Sequence, residues 1–203
     1  MDILISFVLA VSLLAISPGP DNIFVLMQSV VHGKKYGIST IAGLMSGCLV
    51  HTTFVAFGVS TIIKENNTIF LVIKLLGAIY LCFLSYRVFK SDATITMITQ
   101  NIQKKTPFQL FKMGFMMNVL NPKVTIFFLA LFPGFLFSNE LSTVVQFYIL
   151  GGLFILVSFV IFSIIALLGG SISERIQQNK QIGLWLKWMQ IIVFIGIALF
   201  ILI

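Results

Sequence analysis

The sequence predicts an all-α polytopic membrane protein with six transmembrane helices, arranged as two inverted three-helix repeats, with helices 1 and 4 broken at proline-containing motifs. Three observations lead there: the composition, the spacing of the apolar runs, and the side on which the basic residues fall. Of 203 residues, 59% are hydrophobic and 9% are charged, and the mean hydropathy is +1.08. Soluble domains carry about 25% charged residues. No water-facing core of this size hides so much apolar surface, whereas a lipid bilayer is itself apolar and removes the difficulty.

Six apolar runs, at 3–30, 38–62, 68–89, 112–137, 144–169 and 184–203, each approach or exceed the ~20 residues that cross the hydrocarbon. They divide the chain into a first repeat (1–89), a cytoplasmic linker (90–111) and a second repeat (112–203), all one integral membrane domain. The run Ile3 to Ala15 follows an acidic Asp2 rather than a basic segment and resumes after Pro20, so it reads as a retained helix rather than a leader.

The formal net charge is +7. In this setting it speaks of topology and not of nucleic acid. The loops after spans one, three and five hold Lys34, Lys35, Arg87, Lys90, Lys104, Lys105, Lys112, Arg175, Lys180 and Lys187, while the opposite side holds Lys64 alone. That asymmetry places the three basic loops in the cytoplasm and both termini outside. Cys48 and Cys82 lie inside apolar runs without paired spacing, which gives neither a disulfide framework nor a metal site. The sequence contains no phosphate-binding loop, zinc ligand set or catalytic triad, so neither an enzyme nor a cofactor is expected.

The first break is Ser17-Pro18-Gly19-Pro20. Each proline removes a backbone donor and pushes its predecessor out of helical geometry. Asp21 and Asn22 then fall in the first turn of a second half-helix, where acidic and amide side chains cap or complement the helix start. The second break is Asn121-Pro122-Lys123, well inside span four. Matched interruptions in two halves point to a transporter binding site near the membrane midplane; a simple kink is the alternative. Asp21 and Lys123 are charges at membrane depth, which are costly and usually functional. A capping role for Asp21, a structural Asp21–Lys123 pair, or a snorkelling lysine are the competing readings.

Gly43, Gly47 and His51 share one face of span two. The Gly43–Gly47 spacing predicts close packing against another helix, with His51 facing that helix as either a proton relay or an inter-helix bridge. Phe127, Phe128 and Phe132 are read as lipid-facing or packing residues, Trp185 and Trp188 as interfacial anchors, and Gly151-Gly152 and Gly169-Gly170 as packing and helix-end positions.

At these residues the chain resembles the lysine-exporter superfamily, and within it the homoserine/threonine exporter (RhtB-type) branch. The resemblance rests on Ser17-Pro18-Gly19-Pro20 with Asp21-Asn22, His32-Gly33 with Tyr36-Gly37, Ile41-Ala42-Gly43 with Gly47 and His51, and Lys74-Leu75-Leu76-Gly77-Ala78 with Tyr80-Leu81. In the second half it rests on Phe111 with Gly114-Phe115, Asn118 to Lys123, and Phe132-Pro133-Gly134-Phe135, where Gly134 replaces a glutamine frequent in the family. The resemblance implies export of amino acids or close derivatives across a bacterial inner membrane, driven by the proton gradient. The residues themselves suggest how. Ser17, Gly19, Asp21, Asn22, Asn121 and Lys123 are the candidate substrate-binding residues. Pro18, Pro20 and Pro122 make the helix breaks, and Asp21 and His51 are the candidates for proton coupling. The expected partners are an amino acid, protons and the lipid bilayer, and a homo-oligomer is left open. A cation exporter of the same superfamily and a non-transporting scaffold are the alternatives.

Overall fold

A computed structural model describes residues 2–17, 19–61, 67–92, 105–169 and 180–202. Pro18, Lys64, Lys104 and Arg175 therefore lie outside the described residues, as does most of the linker and most of the 171–183 segment. The described residues are helical, with short turns and no strand.

Helix α1 (Asp2–Ile16) and helix α2 (Pro20–His32) form a pair bent by 60°. Helix α3 (Lys34–Phe54) follows after Gly33 alone. Gly33 has φ 100°, a left-handed value that glycine adopts without a Cβ penalty. The separator expected over 32–35 thus shrinks to one residue. Helix α3 runs into a π-helical turn, Val55–Val59, which the hydrophobic pattern does not signal. Helix α4 spans Asn67–Lys90.

Helix α5 (Pro107–Val119) and helix α6 (Pro122–Leu131), with a 3-10 turn at Phe132–Phe135, make a second pair bent by 52°. Helix α5 starts before the expected boundary at 112 because Thr106 builds a capping box. Its hydroxyl accepts from Gln109 N at 3.3 Å, the Gln109 side chain accepts from Thr106 N at 2.8 Å, and Pro107 occupies the first helical position. Helix α7 covers Thr143–Leu167 and helix α8 covers Lys180–Leu202. Gln146, on α7, ties down the preceding loop: its oxygen accepts from Phe137 N (2.8 Å) and Ser138 N (3.0 Å), and its amide donates to Ser138 O (2.8 Å) and Leu141 O (2.9 Å).

Four helices are each long and apolar enough to cross a bilayer, and six spans result if each bent pair counts as one. Leu9, Phe57, Leu76, Ile79, Leu156 and Ile192 are each about 60% exposed or more, as expected of side chains facing lipid. Lipid tails offer no hydrophobic drive for helix association, so close approach through small residues must supply contact. Helices α3 and α5 do this most fully. A Cβ on Gly43 would overlap the Phe111 carbonyl, one on Gly114 would overlap the Thr40 carbonyl, and one on Gly47 would press on the Asn118 side chain. The glycine face expected on span two is therefore a packing face, and its partner is α5. Ser39 Oγ donates to Pro107 O at 2.5 Å across the same seam.

Phe127, Phe128 and Phe132 are fully buried and are packing residues, not lipid-facing ones. Phe128 stacks on Phe132 at 4.2 Å and meets Phe154 edge-on at 4.9 Å; Phe7 meets Phe132 at 5.3 Å. This aromatic cluster joins α1, α7 and α6 with its following 3-10 turn. Trp185 is 76% exposed. Gly151 packs so tightly on Thr52 that a Cβ would clash, whereas Gly152 faces open space. Gly170 lies outside the described residues.

Candidate functional site

The two breaks are built from different chemistry. At the first, Ser17 N completes the last bond of α1 to Leu13 O at 3.0 Å. Gly19 is extended (φ −145°, ψ 175°), Pro20 opens α2, and Ile23 N bonds Gly19 O at 3.1 Å. The carbonyls freed at the end of α1 need partners, because the membrane interior supplies none. Asn22 provides one: its Nδ2 reaches back across the break and donates to Ala15 O at 2.7 Å.

At the second break Asn121 caps α6. Its Oδ1 accepts from Lys123 N at 3.0 Å and its carbonyl from Thr125 N at 3.1 Å. On the α5 side, Asn121 N donates to Asn118 O at 3.0 Å. His51 Nε2 lies 3.1 Å from that same carbonyl. A carbonyl only accepts, so the proton sits on Nε2 of the imidazole. His51, from α3, therefore bridges helices by holding a carbonyl at the break.

The breaks meet. Asn121 Nδ2 donates to Asp21 Oδ2 at 3.0 Å. Asp21 is thus joined to the second break through the Asn121 amide and not through the Lys123 ammonium. The Lys123 ammonium lies 4.8 Å above the Phe194 ring on α8, a cation–π arrangement, and 3.7 Å from where a Cβ on Gly19 would stand. Both α2 and α6 direct their N-terminal turns to this place. The positive ends of two helix dipoles and one ammonium therefore gather opposite one carboxylate, a setting that favours an added anion.

A cavity of about 50 Å³ lies between them. Of the candidate residues, Gly19, Pro20, Asp21, Asn22, Asn121 and Lys123 line it; Ser17, Pro122 and His51 do not. Ser17 is buried, and its hydroxyl lacks a hydrogen-bond partner. The wall also includes Asn118, Cys48 and Ser158, together with Met45, Phe154 and Phe162. Asn118 Nδ2 lies 3.4 Å from Cys48 Sγ. Asn118 stands one turn before the second break, a position from which its inward face was readable. Ser158, Phe162 and Phe194 come from the last two helices, whose sequences signal only hydrophobicity.

Two broken helices whose N-terminal turns bring one carboxylate and one ammonium to a largely apolar cavity, among unbroken spanning helices, define a membrane transporter class. The family comparison agrees with that class. The model of the LysE type translocator family matches residues 12–203, and the chain belongs to that family. The chain is 31% identical over 176 residues to a homoserine/homoserine lactone efflux protein of Salmonella typhimurium, covering 87% of this chain and 84% of the relative. It is 30% identical over 182 residues to a leucine efflux protein of Klebsiella pneumoniae, covering 89% and 85%. No solved structure matches.

Proposed function

We propose that this chain is a secondary transporter that exports amino acids or close derivatives from the cytoplasm of a bacterium, coupled to protons. The observation that carries the reading is the meeting of two helix breaks at one cavity, with Asp21 on one and Lys123 on the other. A zwitterion needs an anion site and a cation site a few ångströms apart. Lys123 and the N-terminal turns of α2 and α6 suit a carboxylate; Asp21 suits an ammonium. A single carboxylate opposite an ammonium suits a zwitterion better than a metal cation. Relatives that carry efflux of homoserine and leucine in their names support the substrate class.

Asn121 holds Asp21, and an arriving substrate ammonium competes for that carboxylate. The cavity has room for little more than water, so substrate binding requires the breaks to part. Protonation of Asp21 would release the ammonium, which supplies the coupling step, while His51 is occupied in holding the second break. Six spans as two inverted repeats fit the order broken pair, long helix, long helix in each half, and the pairing of α3 with α7 and of α4 with α8 across halves. The basic loops then face the cytoplasm and both termini lie outside.

The test is transport by the purified chain in liposomes loaded with a panel of amino acids or divalent cations. Efflux of homoserine or leucine above that of protein-free liposomes, accelerated by an inward proton gradient, is the expected result. Release of divalent cations with no release of any amino acid would overturn the reading.

A further inference from the structure

Helix α7 turns one narrow face to the central cavity. Phe154, Ser158 and Phe162 all line it, and their spacing of four places them on successive turns, about 6 Å apart along the axis. The outer two are aromatic, and the one between them carries a hydroxyl. Ser158 is 2% exposed, so whatever its hydroxyl meets lies inside the protein.

A hydroxyl in the middle of a helix often returns its proton to the carbonyl one turn earlier. Ser12, Thr40, Ser46 and Thr52 do so, each on the carbonyl four residues before it. Ser158 makes no such bond to Phe154 O, and none to any other described residue. Ser17, Ser29 and Ser163 also lack partners, but they lie off the cavity, and Ser158 lies on it. The other polar side chains of the wall are engaged. Asn121 holds Asp21, Asn22 holds Ala15 O, Asn118 meets Cys48, and the Lys123 ammonium rests on Phe194. Burying a hydroxyl without a partner is unfavourable, and alanine would complete the same face without that cost. The missing partner therefore belongs to what enters the cavity.

We propose that Ser158 is the residue that selects the substrate's side chain, and that it favours a side chain bearing a hydroxyl over a hydrocarbon of equal size. The assignment rests on the amino-acid reading above. With the ammonium and carboxylate of a zwitterion held by Asp21 and Lys123, the substituent on its α-carbon is left to the rest of the wall. That remainder is carbon at Met45, Val124, Phe154 and Phe162, with the Ser158 hydroxyl among them. A wall of carbon alone distinguishes a hydroxyl from a methyl only weakly. A group that hydrogen-bonds the hydroxyl rejects the methyl, because that group is then left unpaired. The serine hydroxyl both donates and accepts, so it can pair with a substrate hydroxyl in either sense.

The test is paired transport in liposomes holding the purified chain. Homoserine and 2-aminopentanoate match in size and differ by a hydroxyl against a methyl. At low substrate the native chain should move homoserine about tenfold faster, the contribution of one neutral hydrogen bond. Ser158→Ala should bring the ratio near one, mostly by slowing homoserine. Ser158→Thr, which keeps a hydroxyl, should hold most of the preference. A damaged fold would slow both substrates alike, so the ratio and not the rate is the readout. A native chain without preference, or a preference that survives in Ser158→Ala, overturns the assignment. Equilibrium binding in detergent separates this from the transport reading. Homoserine bound about tenfold more tightly than 2-aminopentanoate, with efflux of neither, upholds Ser158 and overturns transport. Binding of neither overturns both.

Discussion

The two helix breaks do the same topological task with unequal reinforcement. The second is clamped: Asn121 caps α6 with its own side chain, and the Asn118 carbonyl receives both Asn121 N and His51 Nε2. The first has no side-chain cap, an extended glycine at its start, and a single long reach from Asn22 to Ala15 O. The second break is anchored into the α3–α5 seam, and the first is tied to the second by the bond from Asn121 to Asp21. The second break thus fixes the start of α6, and with it Lys123, by more bonds than the first gives the start of α2 and Asp21.

The largest effect should come from the charges that face each other across the breaks. Asp21→Asn and Lys123→Met should each reduce efflux by about a hundredfold, corresponding to ~3 kcal/mol for a buried charge interaction lost in binding, with membrane insertion intact. The double variant decides between a site and a structural pair. A structural pair recovers when both partners go, because no stranded charge remains. A substrate site stays inactive, and efflux near the native level in the double variant, at equal expression, would remove both residues from the site.

A smaller loss should follow removal of the clamp. His51→Ala removes one of the two donors to the Asn118 carbonyl and leaves a cavity where the buried ring packs on Phe128, and thermal unfolding in detergent should show a destabilisation of about 1–3 kcal/mol. His51→Gln, which can donate, should recover part of it. The pH dependence of efflux should survive in His51→Gln. If it flattens instead, His51 relays protons and the contrast between a heavily and a lightly bonded break no longer assigns coupling to Asp21.

The smallest effect belongs to the weaker break. Asn22→Ala should cost about 1 kcal/mol by stranding the Ala15 carbonyl. Asn22→Asp should not repair it, since a carboxylate cannot donate. Calorimetry of the three forms checks this. Equal stability of Asn22→Asp and the native chain would show that the bond to Ala15 O contributes nothing.

The breaks were legible in the sequence because their cause is local: a proline ring and a missing N–H act within one turn, wherever the rest of the chain goes. The Gly43–Gly47 face was legible for the same reason, although its partner, α5, was not. The capping box at Thr106 and Gln109 was also present in the sequence, and it explains why the linker ends earlier than hydropathy alone suggests. Other features depend on residues brought from afar. Nothing near Lys123 indicates that the Phe194 ring lies beneath its ammonium, or that Asn121 rather than Lys123 reaches Asp21. The cavity faces of Ser158 and Phe162 likewise depend on how α7 packs against the breaks, and no local pattern signals the π-helical turn at Val55–Val59.

The seam between α3 and α5 has a consequence for how this protein can change over generations. At Gly43 and Gly114 the neighbouring backbone occupies the volume that any Cβ would need. Every single-base change of a glycine codon that still encodes a different amino acid introduces a Cβ, alanine included. No mutational neighbour of either position therefore fits without forcing the two backbones apart. In a saturation library selected for efflux, these two columns should stand nearly empty. Cavity positions such as Met45 and Phe154, where side chain meets side chain, should admit substitutions that retune the substrate. The lineage can change what it carries more easily than it can change the frame that carries it.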